Sequence, residues 1–221
     1  MTYEEILKGL YDDTLVGKAP EVREAVEAGL ADGMEPESML FDALIPSLEE
    51  VGARFERGDF FVPEMLIAAR AMQGALDILR PLLAETGAKQ VGTYVMGTVK
   101  GDVHDIGKNL VNIMLEGAGF TVHDLGVNVA PEVFIDAINE HKPDIVGFSA
   151  FLTTTMPMFK ANINALEKAG IRDRVIVMVG GAPVTQEYAD AVGADGYSAD
   201  ASSAVKKAKE LIQLKRAGVP A

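Results

Sequence analysis

The fold of the second half of the chain is decided by residues 91–125, VGTYVMGTVKGDVHDIGKNLVNIMLEGAGFTVHDL. An apolar run over residues 91–96 precedes a polar loop, a helix-like segment from about Gly107 to Gly117, and a second apolar run, Phe120–Leu125. The alternation continues with apolar runs at Asp144–Ser149, Val175–Val179 and, weakly, Asp195–Tyr197, and with helix-like segments at Pro131–Glu140, Met156–Ala169, Thr185–Val192 and Ala201–Arg216. Buried strands that alternate with helices predict a five-stranded, doubly wound parallel α/β sheet with the strand order 2-1-3-4-5.

The composition excludes several classes of function. The 221 residues are 48% hydrophobic and 24% charged, which is typical of a globular protein. The absence of cysteine excludes disulfides, iron–sulfur clusters, thiolate zinc sites and a cysteine nucleophile. A net charge of −13 argues against binding to nucleic acid. The acidic N-terminal segment does not resemble a secretory signal and no apolar stretch is long enough to span a membrane, so we expect a cytoplasmic protein with no membrane partner.

The distribution of charge predicts two domains, residues 1–88 and residues 89–221. The first range holds 7 Lys+Arg and 18 Asp+Glu, a net charge of −11, whereas the second holds 13 and 15, a net charge of −2. The first half contains apolar stripes of helical spacing, which predict helices at Tyr3–Val16 and Pro20–Gly33, a third across Met39–Phe55 with a kink at Pro46, and a fourth that starts near Pro63 and continues to Leu83. Four helices with short connections predict a small bundle.

Two polar loops should meet at the point where the predicted strand order reverses. One follows strand 1 and runs from Thr98 to Gly107; the other follows strand 3 and runs from Ser149 to Thr155. In doubly wound sheets, ligands bind beyond the carboxyl ends of the strands at this switch point. We therefore expect the functional site to lie in these loops.

His104 is the residue in these loops that most needs an explanation. It could be an ordinary hydrogen-bonded loop histidine, but neutral imidazole is also the commonest metal ligand, and its second nitrogen is usually held by a carboxylate such as that of Asp102. Gly107, which opens the next helix, would let a bulky group approach the backbone. One histidine without cysteine cannot hold zinc or non-haem iron, so a metal at His104 would have to arrive inside a macrocycle.

The run Gly101–Asn109, GDVHDIGKN, resembles the D-x-H-x-x-G signature of the cobalamin-binding domains of methionine synthase and of the corrinoid proteins of methanogens and acetogens. In that family S-x-L and then G-G follow; here 41 residues separate Gly107 from Ser149, and 28 separate Phe151 from Gly180-Gly181. The segments 51–55, VGARF, and 58–64, GDFFVPE, resemble the helical cap of the same family. The resemblance thus covers essentially the whole chain and implies a four-helix cap followed by a flavodoxin- or Rossmann-like B12-binding domain.

The resemblance implies cobalamin, as methylcobalamin, cob(I)alamin or a related corrinoid, bound with its own base displaced and with His104 as the lower axial ligand of cobalt. The displaced nucleotide tail would enter a slot that the glycines keep open. The residues expected to bind the cofactor are Gly101, Asp102, Val103, His104, Asp105, Ile106, Gly107, Ser149, Phe151, Thr153, Gly180, Gly181, Tyr197 and Ala201. Taken alone, Gly180-Gly181 could equally be an ordinary turn at the end of a strand.

Two positions depart from the pattern of the family. The leucine of S-x-L is Phe151 here, with Leu152 next to it, which could reshape the wall around the nucleotide tail. The hydroxyl that completes a His–Asp–Ser relay in methionine synthase falls on Thr155, which can make the same hydrogen bond. By the resemblance, Asp102 and Thr155 would act catalytically by coupling protonation of the imidazole to the state of the cobalt.

Within the first half, Phe55 and Val62 are the candidates to cover the upper face of the corrin. Phe55 could instead be one more core residue of the bundle, because the apolar stripe of its helix includes it. Met65 and Met72 are interpreted as core residues and not as ligands. His123 and His141 are interpreted as ordinary surface or strand-end residues, since neither lies beside a carboxylate and a glycine as His104 does.

The function implied by the resemblance is that of a methyl carrier. It would be a non-autonomous subunit of a cobalamin-dependent methyltransferase system of the methylamine, methanol or O-demethylase type. Its expected partners are a substrate-specific methyltransferase, a methyl-accepting methyltransferase and a reductive activator. The alternative is the small subunit of an adenosylcobalamin-dependent isomerase, although those domains lack a helical cap. A cobalamin-dependent sensor would need an output module, typically DNA-binding, which the acidic first half cannot provide, and a transport or storage protein would not require the relay.

Overall fold

The computed structural model describes residues 2–86 and 91–218. The chain forms two compact units, Met1–Lys89 with Gly117–Gly119, and Gln90–Glu116 with Phe120–Ala221. The domain boundary expected between residues 88 and 89 lies outside the described residues. None of the helices in the described part of the chain combines the length and the apolar character that a membrane span requires.

The first unit is helical. Its elements are α1 (Tyr3–Leu15), α2 (Ala19–Ala31), α3 (Pro36–Met39), a π-helical turn (Leu40–Leu44), α4 (Ile45–Glu56) and α5 (Val62–Thr86). Thr2 and Glu5 form a capping box at the start of α1, and prolines occupy the first turns of α2, α3 and α4, where a missing N–H leaves no hydrogen bond unmade. Met65 and Met72 are fully buried, which confirms their interpretation as core residues.

The third helix of the bundle contains a π-helical turn that its sequence did not predict. The elements α3, the π-helical turn and α4 follow one another without a break. The N–H of Ile45 donates to the carbonyl of Leu40, five residues back. Pro46 itself lies in the first turn of α4. Because proline has no N–H to donate, the ladder of hydrogen bonds is rearranged into a wider turn directly before it, and the kink expected at Pro46 stays a prediction.

The second unit is the predicted α/β sheet. Its strands are β1 (Gly92–Thr98), β2 (Phe120–Asp124), β3 (Ile145–Ser149), β4 (Ile176–Gly180) and β5 (Gly196–Ser198). Its helices are α6 (Ile106–Gly117), α7 (Pro131–His141), α8 (Pro157–Lys168), α9 (Gln186–Val192) and α10 (Ala201–Arg216), with a short 3₁₀ turn at Arg172–Arg174. All the strand pairs are parallel and the order is β2-β1-β3-β4-β5, as predicted.

The register of the strands aligns their carboxyl ends. Thr98 lies opposite Ser149, Ser149 opposite Gly180, and Gly180 opposite Ser198, so the last residues of four strands form one row. Behind this row the core is packed with buried valines and aromatic residues; the rings of Phe134 and Phe148, for example, meet edge to face at 4.8 Å. The loops that follow β1 and β3 therefore leave the sheet side by side.

Candidate cofactor site

The centre of the site is the carboxylate of Asp102, which is completely buried in the loop after β1. Its Oδ1 accepts the backbone N–H of His104 at 3.0 Å and lies 2.8 Å from Nδ1 of the same residue. Its Oδ2 accepts the backbone N–H groups of Phe151 at 2.9 Å and Leu152 at 3.2 Å and the hydroxyl of Thr155 at 2.6 Å. One carboxylate thus joins the two loops of the switch point.

These hydrogen bonds fix the protonation of the network. Burial alone would raise the pKa of Asp102, but the hydrogen bonds from Thr155, from the backbone and ring of His104, and from the backbone of Phe151 outweigh it and hold the pKa well below its ordinary value. An ionised carboxylate only accepts hydrogen bonds, so Nδ1 of His104 must carry the proton. The lone pair of the imidazole is then on Nε2, and the side chain is 46% exposed. The geometry therefore leaves Nε2 of His104 available to a metal.

Phe151 contacts the face of this imidazole. The centroids of the two rings are 4.5 Å apart and their planes are inclined by 30°, which is a stacked arrangement. The ring of Phe151 is nevertheless half exposed. The same residue therefore contacts Asp102 through its backbone and His104 through its side chain.

A third loop, which follows β2, braces the loop that carries His104. The side-chain oxygen of Asn128 accepts the N–H of Gly101 at 2.8 Å, and the N–H of Asn128 donates to the carbonyl of Asp102 at 2.9 Å. Asn128 has a φ of 55°, in the left-handed region that asparagine tolerates better than most residues. The hydroxyl of Thr98 supports the same loop by donating to the carbonyl of His104 at 3.0 Å. Asn128 was not among the residues expected at the site, because an asparagine in the loop that follows β2 belongs to no motif of the sequence.

The surroundings of His104 suit a flat, bulky and largely apolar group. Val103 and Ile106 are 67% and 71% exposed, and the neighbouring Leu152 is also exposed. Large apolar side chains exposed together around a polar group are typical of a binding surface. A Cβ added at Gly107 would meet no atom within 4 Å. A single imidazole donor with this apolar rim fits a metal whose other ligands come from a macrocycle.

The glycine pair lies at the carboxyl end of β4. Gly181 has a φ of 135°, and a Cβ there would lie 1.8 Å from the carbonyl oxygen of Ala150, so this close approach of two loops requires glycine. Gly180 pairs with Ser198, whose hydroxyl is buried without a hydrogen-bond partner among the described residues. An unsatisfied buried hydroxyl at this edge is available to a polar group of a ligand.

The structure places the other expected residues at the same edge or in the other unit. Thr153 is exposed in the loop after β3, and Asp105 accepts a hydrogen bond from the side chain of Asn109 at 3.1 Å. Tyr197 lies in β5, and Ala201 begins α10 directly after its cap, Asp200. Phe55 and Val62 belong to the first unit: Phe55 is partly buried near the end of α4, and Val62, 44% exposed, begins α5. Their role above a corrin stays a prediction.

His123 is the penultimate residue of β2 and His141 is the last residue of α7, in keeping with their interpretation as ordinary surface or strand-end residues. Both are partly buried, and their rings stack with centroids 3.8 Å apart and planes inclined by 7°. Burial, and then the neighbouring ring of His141, lower the pKa of His123, while Glu140 opposes this effect. This contact brings together the end of β2 and the end of α7, which a separation of 18 positions in sequence does not reveal.

A parallel sheet of this order, with an aspartate-held histidine and an open apolar rim at its switch point, defines an α/β protein whose ligand site suits a metal carried in a macrocycle. Comparison with known families agrees. Two family models, each described as a B12 binding domain, match residues 92–206 and residues 6–80. The chain belongs to the B12-binding corrinoid protein family, as the sequence motifs predicted.

Similar proteins are known both as sequences and as structures. The chain is 44% identical over 213 residues to the dimethylamine corrinoid protein of Methanosarcina barkeri, covering 96% of this chain and all of the relative. It is 42% identical over 193 residues to trimethylamine corrinoid protein 2 of Methanosarcina mazei, covering 86% and 88%. The methanol:cobalamin methyltransferase complex of M. barkeri contains a chain that matches with a TM-score of 0.82 and 30% identity, covering 96% of this chain and 81% of that one. A cobalamin-binding protein from Desulfitobacterium hafniense DCB-2 matches with a TM-score of 0.74 and 31% identity, covering 92% and 97%.

Proposed function

We propose that this protein is a methyl-carrying corrinoid protein of a methyltransferase system that acts on methylated amines. The observation that carries the proposal is the buried Asp102 carboxylate, which holds Nδ1 of the half-exposed His104 and so leaves Nε2 as the metal donor. The identity of 44% to a dimethylamine corrinoid protein supports an amine as the source of the methyl group. The bound corrinoid would supply a cobalt atom that accepts and releases a methyl group.

The residues of the chain would bind and orient this cofactor. We propose that the corrinoid binds with its own base displaced and with Nε2 of His104 beneath the metal. Asp102 would keep the proton on Nδ1 of His104 by accepting its hydrogen bond. Thr155, whose hydroxyl lies 2.6 Å from Oδ2, would keep the carboxylate ionised while the imidazole binds the metal or leaves it. The remaining residues proposed to contact the cofactor, by direct contact or through the backbone, are Gly101, Val103, Asp105, Ile106, Gly107, Ser149, Phe151, Thr153, Gly180, Gly181, Tyr197 and Ala201.

We further propose a division of labour between the two halves. Residues 89–221 would form the cofactor domain, and residues 1–88 a helical cap in which Phe55 and Val62 cover the upper face of the corrin. By moving away from the metal, this cap would allow a substrate-specific methyltransferase and then a methyl-accepting methyltransferase to reach it. A reductive activator would be the third partner. The solved relative in a methanol:cobalamin methyltransferase complex supports a partner of the first kind.

The proposal is tested by reconstituting the full chain with hydroxocobalamin and comparing it with His104→Ala and His123→Ala. We expect the wild type and His123→Ala to give the absorption spectrum of a base-off corrinoid with a histidine ligand. His104→Ala should retain some corrinoid but lose this spectrum. After reduction with titanium(III) citrate, the wild type should be alkylated by iodomethane. An unchanged spectrum in His104→Ala would exclude His104 as the ligand, and tight binding of adenosylcobalamin without alkylation would favour the isomerase subunit.

A further inference from the structure

The stacking of Phe151 on His104 is not required by the hydrogen-bond network. The carboxylate of Asp102 receives the backbone N–H of Phe151, a contact that any residue except proline could make at this position. The side chain is therefore not needed for the hydrogen bond to Asp102. Even so, the centroid of its ring lies 4.5 Å from that of the imidazole. It does so although half of Phe151 remains exposed to solvent. The ring thus has a role separate from that of the backbone.

The hydrogen bonds alone leave one motion of the imidazole free. The bond of 2.8 Å between Nδ1 and Asp102 fixes one edge of the ring, but the ring can still rock about the direction of that bond. A second ring stacked at an inclination of 30° restricts this rocking, because tilting the imidazole would break the contact between the faces. The leucine that the S-x-L pattern has at this position offers no flat face for such a contact.

We propose that Phe151 is a positioning residue for His104, whose ring holds the plane of the imidazole and so directs Nε2 before the cofactor binds. This inference rests on the proposed function, in which His104 is the axial ligand. It differs from the expectation that Phe151 serves as a wall of the slot for the nucleotide tail. A ligand oriented in advance loses less freedom on binding, so the gain appears in the fraction of corrinoid that is coordinated by histidine.

The first test uses the apoprotein. The variant Phe151→Leu keeps both backbone donors to Asp102 and removes only the ring; Phe151→Tyr keeps the ring; Leu152→Ala is the control, because its N–H also donates to Asp102 and its side chain is also exposed. In NMR spectra of ¹³C,¹⁵N-labelled protein, we expect the ring-current displacement of the His104 imidazole protons to disappear in Phe151→Leu only. The ¹⁵N shifts should still report a proton on Nδ1 in all the variants.

The second test uses cobinamide, a corrinoid without a nucleotide tail, bound to the full chain. Because a stacked aromatic pair contributes about 0.5–1.5 kcal/mol, Phe151→Leu should lower the ratio of histidine-coordinated to uncoordinated cobinamide by about two- to twelvefold. Phe151→Tyr should restore the ratio, and His123→Ala, which changes no proposed contact of the cofactor, should leave it unchanged.

Three outcomes would overturn the inference. Unchanged imidazole resonances in Phe151→Leu would mean that the rings do not stack in solution. An effect of Phe151→Leu on cobalamin but none on cobinamide would mean that Phe151 contacts the tail and does not position His104. An equal loss of the ring-current displacement in Leu152→Ala would mean that the loop as a whole is disturbed. If instead the wild type and His104→Ala give the same cobinamide spectrum, the proposed function fails, and the apoprotein spectra still decide whether Phe151 orders the imidazole.

Discussion

Replacing Thr155 by valine removes the shortest hydrogen bond to the buried carboxylate and almost nothing else. The hydroxyl lies 2.6 Å from Oδ2 of Asp102 and 2.8 Å from the carbonyl oxygen of Leu152, but it has only one hydrogen. The charged and nearer acceptor receives it. Valine has a methyl group where threonine has the hydroxyl, so the variant removes the donor of this hydrogen bond and keeps the branched side chain.

The expected cost follows from the geometry. A hydrogen bond to a charged group contributes about 1.5–3 kcal/mol, and the carboxylate keeps its contacts to the N–H groups of residues 104, 151 and 152 and to Nδ1. We therefore expect Thr155→Val to lower the free energy of unfolding of the sheet unit by about 2 kcal/mol at pH 7. The pKa of Asp102 should rise toward its ordinary value, because one of the bonds that lower it is lost.

The pH dependence has a definite sign. A carboxyl group whose pKa is lower in the folded than in the unfolded state stabilises the fold above the unfolded pKa, and this contribution is lost as pH falls. The difference between the wild type and Thr155→Val should therefore be full at neutral pH and shrink below the ordinary pKa of 3.8. The measurement is urea unfolding followed by the amide NMR signals of β1–β5, with ¹³C titration of Asp102.

Thr155→Ser is the matched control, since it keeps the hydroxyl and loses the methyl group. If Thr155→Val and Thr155→Ser unfold within about 0.5 kcal/mol of each other, the hydroxyl does not support the carboxylate and the reasoning is refuted.

Three further predictions concern His123, the pair Lys108–Asp124, and Gly181. Because burial and then His141 lower the pKa of His123, protonation of this histidine favours the unfolded state. As the pH falls from about 7.5 to about 5.5, the free energy of unfolding should therefore decrease less steeply in His123→Gln than in the wild type. Equal slopes of the free energy against pH would contradict this prediction. The side chain of Lys108 is 1% exposed and forms an ion pair with Asp124, whose side chain is 40% exposed. Asp124→Asn should lower the free energy of unfolding, measured with urea, by about 1–3 kcal/mol, because it leaves the buried charge of Lys108 unpaired. Lys108→Met should lower it less, because it removes that buried charge. Gly181→Ala should lower the stability in thermal melts by about 3 kcal/mol or more, because the new Cβ would lie 1.8 Å from the carbonyl oxygen of Ala150. A loss below about 1 kcal/mol would mean that the loops after β3 and β4 separate easily.

The sheet was predictable because its central strands, β1, β3 and β4, are buried on both faces. Such strands appear as continuous apolar runs, and the loops between them carry the polar residues, so both the alternation and the switch point could be inferred from residues 91–198. The π-helical turn at Leu40–Leu44 was not predictable in this way. The spacing of apolar residues predicts which side of a helix is buried. It does not predict where the ladder of hydrogen bonds widens to accommodate a proline.

The site was predictable to the level of which loops meet, and not to the level of which atoms touch. The pairing of Asp102 with His104 is local, so a spacing of two residues was enough to suggest it. The bond from Gly101 to Asn128 joins residues 27 positions apart and depends on one left-handed residue, which no motif marks. The stacking of Phe151 depends on side-chain torsion angles, and these are set by packing once the loops are in place.

The role of the backbone at position 151 explains how this chain can differ from the S-x-L pattern without losing the network. The contact to Asp102 is made by an N–H, which phenylalanine and leucine supply equally. The identity of the side chain is then set only by what the ring or the branched chain touches, which here is the imidazole. Thr155 is the opposite case, because its contact to Asp102 is made by the side chain. Substitution at 155 should therefore act on the charge of the carboxylate, and substitution at 151 on the plane of the imidazole. Since the two residues belong to one hydrogen-bond network around Asp102, a double-mutant cycle on histidine coordination should show a coupling of about 0.5–3 kcal/mol, and strict additivity would mean that they act independently.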